Sequence, residues 1–215
     1  MIAAVGKLQQ PKAFLRAVAD YQLLPLPLAK LVAAALPGVE SATASSFVPF
    51  SGGGMRIAPV VPEGTDRTDE ELPNVFYNVV GDNYFRTLGI PILRGRLFLR
   101  QEFDSSRGVV VVNEALAQQL WPIEDPIGRR LSLSGREGPY LEVVGVARDG
   151  KYMFLAEDSR PMLYQPMSQD SISETVLQVR TRTEPLSLVP AVRQEVQALD
   201  AAMPIFNINS METHM

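Results

Sequence analysis

VVVVNEALAQQLWPIEDPIGRRLSLSG, residues 109–135, is the stretch that decides the fold, and VVGDNYFRTLGIPILRGRLF (79–98) and YLEVVGVARDG (140–150) flank it. The run Val109–Val112 is apolar and β-branched throughout, which is typical of a strand that is covered on both faces. Asn113 follows as a good helix N-cap, because its side chain can accept a free backbone N–H. The pattern therefore predicts a buried strand that passes directly into a short helix.

The predicted helix has its own start, buried face and end. Glu114 lies in the first turn, where a negative charge meets the positive end of the helix dipole. Leu116 and Leu120 are four residues apart and share a face, and Pro122 ends the helix. We interpret Trp121, beside that end, as a core anchor, with a stacking platform for a ligand as the alternative.

Turn residues and hydrophobic periodicity divide the rest of the chain into short elements. The Gly and Pro residues of 134–139 predict a hairpin loop between two strands. The predicted strands are 39–48, 75–80, 127–133, 140–147, 160–166, 175–181 and 205–208. The strand at 160–166 has a proline near each end, which predicts an edge strand. The predicted helices are 11–21, 28–35, 82–88 and one that begins near Pro185 and ends at Asp200.

The composition excludes several classes of function. The net charge of −4 argues against a nucleic-acid partner and against a polybasic patch for anionic lipid, since both need a basic surface. The chain has no cysteine, and its one histidine is His214. A thiol nucleophile, a histidine-dependent triad and a multi-histidine metal site are therefore not expected.

Two loops carry residues that could suggest ligand chemistry. Gly52–Gly54 lacks the Lys-Ser/Thr that follows in a phosphate-binding loop, so a flexible loop is the better interpretation. The acidic residues between 66 and 71 do not follow calcium-loop spacing, which favours a solvated loop. We therefore predict no catalytic, cofactor-binding or metal-binding residues, no cofactor, and no enzymatic activity for the chain.

Two further features have a functional and a structural interpretation. Residues 81–150 contain nine Arg, no Lys and nine acidic residues, which indicates either a binding surface or, with more weight, structural ion pairs. Met153, Phe154 and Leu155 indicate either an exposed interaction tip or, with more weight, core packing.

The three blocks quoted above resemble the extracytoplasmic domain of MacB-like and FtsX-like ABC transporter permeases. LPGVESA (36–42), PLSLVPAVRQEVQALD (185–200) and MPIFNINSME (203–212) match the same domain in the same order. The resemblance implies an α+β fold with two lobes. A porter-like split β-α-β lobe would comprise residues 1–80 and 170–215, and an inserted, mostly β lobe would comprise residues 81–169.

The resemblance also implies a function. The chain would be the extracytoplasmic domain of an ABC-type permease that couples cytoplasmic ATP hydrolysis to conformational work on a substrate or partner outside the membrane. A ligand- or partner-binding sensor domain of an envelope protein that does not transport is the alternative, and a free-standing hydrolase is a third. Since no segment of the sequence spans a membrane, we expect a piece of a longer protein.

Location and partners follow from the same resemblance. The full-length protein would lie in the bacterial inner membrane, with this domain on the periplasmic or extracellular side. Its partners would be the membrane-embedded helices of its own full-length chain and a cytoplasmic ATPase subunit or module. A second permease copy and a periplasmic partner protein are further candidates, and nucleic acid is not expected.

A domain that is tethered between two membrane helices must have both of its ends on one side. The final strand, helix and strand are too small to bury the helix alone, so we expect them to share a sheet with the strand that begins at Val39. The middle of the chain would then project away from both ends.

Overall fold

One mixed β-sheet organises the described part of the chain, and three α-helices pack on it. The structure is a computed structural model that describes residues 14–19, 36–51, 55–103, 108–169, 175–199, 201 and 205–210. The predicted helix at 28–35, the loop Gly52–Gly54 and His214 lie outside these residues.

The strands are short, and several follow the predicted bounds closely. They are β1 (Phe14–Ala19), β2 (Val39–Ser45), β3 (Arg56–Pro59), β4 (Val61–Pro62), β5 (Asn74–Val80), β6 (Ile92–Gly95), β7 (Val109–Asn113), β8 (Arg130–Ser132), β9 (Tyr140–Ala147), β10 (Met162–Pro166), β11 (Thr175–Thr181) and β12 (Ile205–Ser210). The helices are α1 (Tyr84–Leu88), α2 (Glu114–Leu120) and α3 (Val189–Leu199), and a 3₁₀ turn at Pro185–Leu188 leads into α3.

The strand order is β12-β1-β11-β2-β5-β10-β7-β9-β8-β4, with β3 also paired to β5 and β6 to β9. Two neighbouring pairs are parallel, β5 with β10 and β7 with β9. The other pairings between the described strands are antiparallel. This combination of a mixed sheet with a few helices is the predicted α+β fold class.

The sheet has two parts, which meet at a narrow contact. We call β1, β2, β11, β12 and α3 the terminal part, and β3 to β10 with α1 and α2 the central part. β2 pairs with β11 through six residue pairs, and β5 pairs with β10 through five. Between the two parts, only the pair Ser45–Val80 joins β2 to β5. The strand at Val39 therefore pairs with the strand at 175–181, as expected. The lobe boundaries after residues 80 and 169 stay predictions.

Each part of the sheet has its own apolar core. In the terminal part, α3 and the turn before it cover one face of β2 and β11, where Ala42, Leu177, Val179, Leu188, Val192 and Val196 are buried together. In the central part, the face under α2 buries Val110, Val112, Leu116, Leu120, Leu131, Val143 and Leu163, among others. The opposite face is aromatic and includes Phe47, Tyr84, Phe85, Tyr152 and Tyr164.

Asn113 connects β7, α2 and β10, and the predicted cap is confirmed. Its Oδ1 atom accepts hydrogen bonds from the N–H of Leu116 at 3.0 Å and the N–H of Met162 at 2.9 Å. Its Nδ2 atom donates to the carbonyl of Arg160 at 2.7 Å. Because Asn113 is fully buried, these bonds satisfy polar groups that water cannot reach.

The helix predicted at 11–21 is wrong, because residues 14–19 form β1. This strand lies between β11 and β12 and pairs with both. A helix of that length is marginal by itself, whereas the strand satisfies its backbone groups on both edges. Pairing with residues that are distant in sequence decides the conformation here.

The edge position predicted for the strand at 160–166 is also wrong. β10 lies between β5 and β7, and all five of its residues are buried. The prolines do not interrupt the pairing, because Pro161 precedes the strand and Pro166 is its last residue. Proline disrupts a ladder only where its missing N–H would have donated.

The described ends of the chain lie side by side. Leu15 of β1 pairs with Ser210 of β12. Following the strand directions across the sheet, the loop between β9 and β10 lies at the opposite end, beside the start of β5. Among the described residues, no helix has the length and apolar character needed to cross a membrane.

Truncation of Leu116 to alanine should destabilise the protein by about 2–5 kcal/mol, because a fully buried side chain leaves a cavity. Gln118→Ala, on the exposed side of the same helix, is the matched control and should change stability by less than about 0.5 kcal/mol. Urea unfolding measures both. Equal stabilities for the two variants would contradict the burial of Leu116.

Replacement of Asn113 separates its two roles. Asn113→Ser keeps a hydroxyl that can cap α2, but it cannot also reach Met162 and Arg160, whereas Asn113→Ala loses every bond. We expect Asn113→Ala to cost about 2–4 kcal/mol in urea unfolding and Asn113→Ser to restore about 1 kcal/mol of that loss. A wild-type unfolding midpoint for Asn113→Ala would show that the bonds contribute nothing.

Candidate functional site

The β9–β10 loop, residues 148–161, is anchored at both of its ends. At its start, Asp149 Oδ1 accepts the N–H of Ala115 at 3.0 Å, and the N–H of Asp149 donates to Glu114 Oε2 at 3.2 Å. At its end, the carbonyl of Arg160 accepts a hydrogen bond from Asn113 Nδ2. The first turn of α2 thus holds both ends of the loop.

Tyr152 fixes the loop to the aromatic core. Its ring meets Phe47 edge to face at 6.2 Å, and its hydroxyl shares a hydrogen bond with the hydroxyl of Tyr164. Its carbonyl accepts the N–H of Phe50 at 2.6 Å. Burial raises the pKa of both tyrosine hydroxyls, so each keeps its proton and can donate.

The buried side chain of Glu157 holds the middle of the loop through hydrogen bonds. Its carboxylate is buried and accepts the N–H groups of Tyr152 and Met153, the second at 3.1 Å. Arg160 Nε donates to the other carboxylate oxygen at 2.9 Å. The Glu157 carbonyl also accepts Lys151 Nζ. A single acidic side chain therefore closes the turn that residues 152–160 make.

The charge state of Glu157 follows from these contacts. Burial by itself would raise the pKa of the carboxyl group, because the charged form loses its hydration. The hydrogen bonds from the two backbone N–H groups and from Arg160 outweigh burial and lower the pKa below its ordinary value. Glu157 is thus ionised at neutral pH, and the ionised carboxylate is the form that binds its hydrogen-bond donors most strongly.

Met153, Phe154 and Leu155 are exposed by 42%, 54% and 60%, and we call these three residues the apolar tip. The core packing predicted for them is wrong. Glu157 draws the backbone of the turn inward, and Tyr152 takes the core position beneath it. The three apolar side chains consequently project outward from the turn.

A further exposed apolar residue lies on the same face of the sheet. Ile57 of β3 is directly opposite Phe76 of β5, and opposite residues share a face. The Phe76 ring packs on the aromatic core and lies under the guanidinium of Arg160 at 5.9 Å. The aromatic face therefore carries both Ile57 and the loop that displays the apolar tip.

Arginine residues of the segment 81–150 form ion pairs with neighbouring carboxylates. Arg96 holds the buried Glu102 carboxylate through two hydrogen bonds, at 2.7 and 2.9 Å. Arg136 donates to Asp69 at 3.0 Å and to the carbonyl of Thr65 at 3.3 Å, so it fastens the acidic loop to the β8–β9 hairpin. Further ion pairs of the segment are Arg94–Asp125, Arg129–Glu124 and Arg130–Glu63.

The remaining candidates from the sequence have structural surroundings. Trp121 is partly buried and packs against the core under α2, which agrees with a core anchor. Asp69 and Glu71 of the acidic loop bond to Arg136 and to the start of a 3₁₀ turn at Thr68. In the described ranges, no three His, Cys, Asp or Glu residues are grouped so that they could hold a metal ion.

Sequence reasoning missed Tyr152 and Glu157, the two residues that build the tip. The available signal was the arrangement of KYMFLAEDSR, in which an apolar triplet stands between charged residues. An apolar triplet with charges on both sides is compatible with an exposed turn. The acceptor role of Glu157 depends on a turn geometry that the sequence does not display.

Glu157→Gln should lower the free energy of unfolding by about 1–3 kcal/mol at neutral pH, because two N–H donors and Arg160 lose a charged acceptor. Since the folded-state pKa is lowered, the stabilising effect of the wild-type carboxylate is present above the ordinary value of 4.5 and is lost as the pH falls through the folded-state pKa. The difference in Tm between the two proteins should therefore shrink below pH 4.5. A difference that does not change with pH would contradict this assignment.

Solved structures share the fold. The periplasmic region of MacB from Actinobacillus actinomycetemcomitans superposes with a TM-score of 0.60 at 17% identity and covers 90% of this chain and 88% of that chain. The extracellular domain of the noncanonic ABC-type transporter YknZ from Gram-positive bacteria gives a TM-score of 0.58 at 15% identity and covers 90% of this chain and 100% of that chain.

Sequence relatives point in the same direction. The macrolide export ATP-binding/permease protein MacB of Hahella chejuensis is 35% identical over 82 residues, which are 38% of this chain and 12% of that protein. The uncharacterized ABC transporter permease YvrN of Bacillus subtilis is 30% identical over 102 residues, which are 46% of this chain and 24% of that protein. The chain therefore spans at most about a quarter of the length of these two relatives.

The match to a family description covers most of the sequence. The MacB-like periplasmic core domain matches residues 3–199, which include the central part, the terminal part except β12, and the β9–β10 loop. The chain therefore belongs to the family of MacB-like periplasmic core domains.

Proposed function

We propose that the chain is the extracytoplasmic domain of an ABC-type permease, in which it couples ATP hydrolysis in a separate cytoplasmic module to conformational work on a substrate or partner outside the membrane. Family membership is the observation that carries this proposal. The names of the relatives, an ATP-binding/permease protein and a permease, support it. The chain would itself catalyse no reaction.

The placement of the described ends supports a tethered domain. Leu15 and Ser210 are paired neighbours, as a domain that is held at one end requires. The apolar tip lies at the other end of the strand direction, where a movement of the tethered end has its largest effect. Among the described residues, the tip is the exposed apolar triplet with a dedicated polar support.

The proposed location and partners follow from this arrangement. The full-length protein lies in the bacterial inner membrane, with this domain on the outer side. The membrane-embedded helices of the same protein and a cytoplasmic ATPase act on the domain from one end. A second permease copy or a periplasmic protein contacts it at the apolar tip. Several arginine residues of the segment 81–150 already form ion pairs with neighbouring carboxylates, which favours the apolar tip over the arginine-rich surface as the contact site.

We also propose a division into two lobes. A porter-like lobe would contain both chain ends, and a mostly β lobe would be inserted between them. β4 pairs with β8 and β5 pairs with β10, both strands of the middle segment, and β3 pairs with β5. These pairings favour a boundary after Ser45 over one after residue 80.

Conformational coupling can be tested in the full-length protein in proteoliposomes. The absence of cysteine from this chain allows an environment-sensitive fluorophore to be attached to Leu155→Cys alone within the domain. We expect the emission to differ between the ATP-free state and a state trapped with ATP and vanadate. The difference should disappear when the ATPase is inactivated by mutation.

A label at Gln197→Cys, on the exposed side of α3 in the terminal part, is the control and should respond less than the label at the tip. Identical emission from the Leu155 label in the two nucleotide states would contradict the proposal. A response to a periplasmic partner but not to nucleotide would instead support a sensor domain that does not transport.

A further inference from the structure

The contact between the terminal and central parts is narrow in its backbone. Beside the pair Ser45–Val80, two backbone hydrogen bonds connect the parts. The N–H of Ser46 donates to the Val79 carbonyl at 2.9 Å, and the N–H of Gly81 donates to the Ala44 carbonyl at 2.8 Å. A few backbone bonds thus join two pieces of sheet that are each paired much more extensively.

The same contact is polar in its side chains. We call Thr43, Ser45, Asn78, Thr87 and Gln178 the polar joint; all five are buried. The Asn78 amide donates to the Phe47 carbonyl at 3.1 Å and to the Tyr84 hydroxyl at 3.0 Å. Thr43 Oγ1 donates to the Asp82 carbonyl at 2.9 Å, and Gln178 Nε2 donates to Ser45 Oγ. The Thr43 bond joins β2 to the connection between β5 and α1. The Asn78 bonds join β5 to α1 and to the segment that follows β2, and the Gln178 bond joins β11 to β2.

The polar joint occupies one face of the terminal part. Along β2, Ala42 belongs to the apolar core under α3, so the alternating residues Thr43 and Ser45 face the other way. On that other face α1 packs against β2 and β11. A Cβ atom on Gly89, at the end of α1, would lie 3.2 Å from the Arg180 guanidinium of β11. Gln178, two residues from Arg180, therefore faces α1 as well.

Two side-chain atoms of the polar joint have no hydrogen-bond partner in the described part of the protein, Thr87 Oγ1 and Gln178 Oε1. Buried polar groups without a partner destabilise the arrangement that buries them. The two large apolar cores lie on either side of the joint, and the buried pair Val48 and Val176 lies beside Ser45. A small opening would let water reach the two unpartnered atoms.

We propose that the polar joint is a hinge about which the central part rotates relative to the terminal part. The side-chain bonds of Asn78 and Thr43 keep the two parts in register, and the unpartnered atoms keep the closed arrangement from being strongly favoured. Rotation at the joint carries the apolar tip sideways while the chain ends stay in place. The hinge itself does not depend on the proposed function. Only the role of its motion, which is to move the apolar tip during ATP-driven work, rests on that proposal.

Distances between spin labels in the chain test the hinge without a transport assay. One label is attached to Gln197→Cys in the terminal part and one to Glu137→Cys in the central part, both exposed positions. We expect a broader distance distribution for this pair than for a control pair within the central part, Gln118→Cys with Glu137→Cys. Equal widths for the two pairs would overturn the hinge.

Two matched substitutions assign the motion to the joint. Thr87→Val removes an unpartnered hydroxyl from the joint and should narrow the distribution toward the width of the control pair. Thr175→Val removes another unpartnered, buried hydroxyl of the described residues. Thr175 shares a face with Leu177 and Val179, which is opposite to the face of the polar joint. The Thr175→Val substitution should therefore leave the width of the distance distribution unchanged.

Both substitutions should raise Tm, because each removes a buried hydroxyl without a partner, so thermal melting verifies that each variant is folded. Equal narrowing by Thr87→Val and Thr175→Val, or no narrowing by Thr87→Val, would overturn the assignment to the joint. A hinge that persists without ATP-dependent change in the full-length protein would leave this inference standing and refute the proposed function.

Discussion

The hydrogen bonds of Asn113 hold together the elements on which the central part depends. One buried amide caps α2, binds the start of β10 and fixes the end of the β9–β10 loop. The N–H of Ala115, in the first turn of the same helix, binds the start of that loop. The apolar tip is therefore displayed from a base that belongs to the core. A short helix gains its stability here from packing and capping, since seven residues would not form a stable helix alone.

Local signals predicted the central strands well. The valine run 109–112, the hairpin residues 134–139 and the periodicity of 140–147 each specify an element with little help from the rest of the chain. Gly89 directly follows the predicted helix 82–88, and it adopts the positive φ of 70° that is typical of a glycine at a helix end. The family could be named from the sequence because these elements carry most of the resemblance.

Elements whose conformation depends on distant partners were predicted poorly. Residues 14–19 form a strand only because β11 and β12 flank it, and both come almost at the end of the chain. β10 is central because β5 and β7 flank it. The prolines of its own segment do not show that these two strands lie beside it. The exposure of Phe154 depends in the same way on how Glu157 closes the turn. Apolar composition alone favours burial, and the competing polar contact becomes visible only in three dimensions.

The pairing of β1 with β11 and β12 has a consequence for the order in which the protein folds during synthesis. All strands of the central part lie between residues 56 and 166, so this part can complete its sheet while the ribosome is still adding the last strands. Among the described strands, β1 precedes all the others in sequence but must wait for residues 175–210 before both of its edges are paired. Contacts between residues so distant in sequence form slowly. β1 is therefore among the last of the described strands to be ordered, and until then it exposes unpaired backbone that a chaperone could bind.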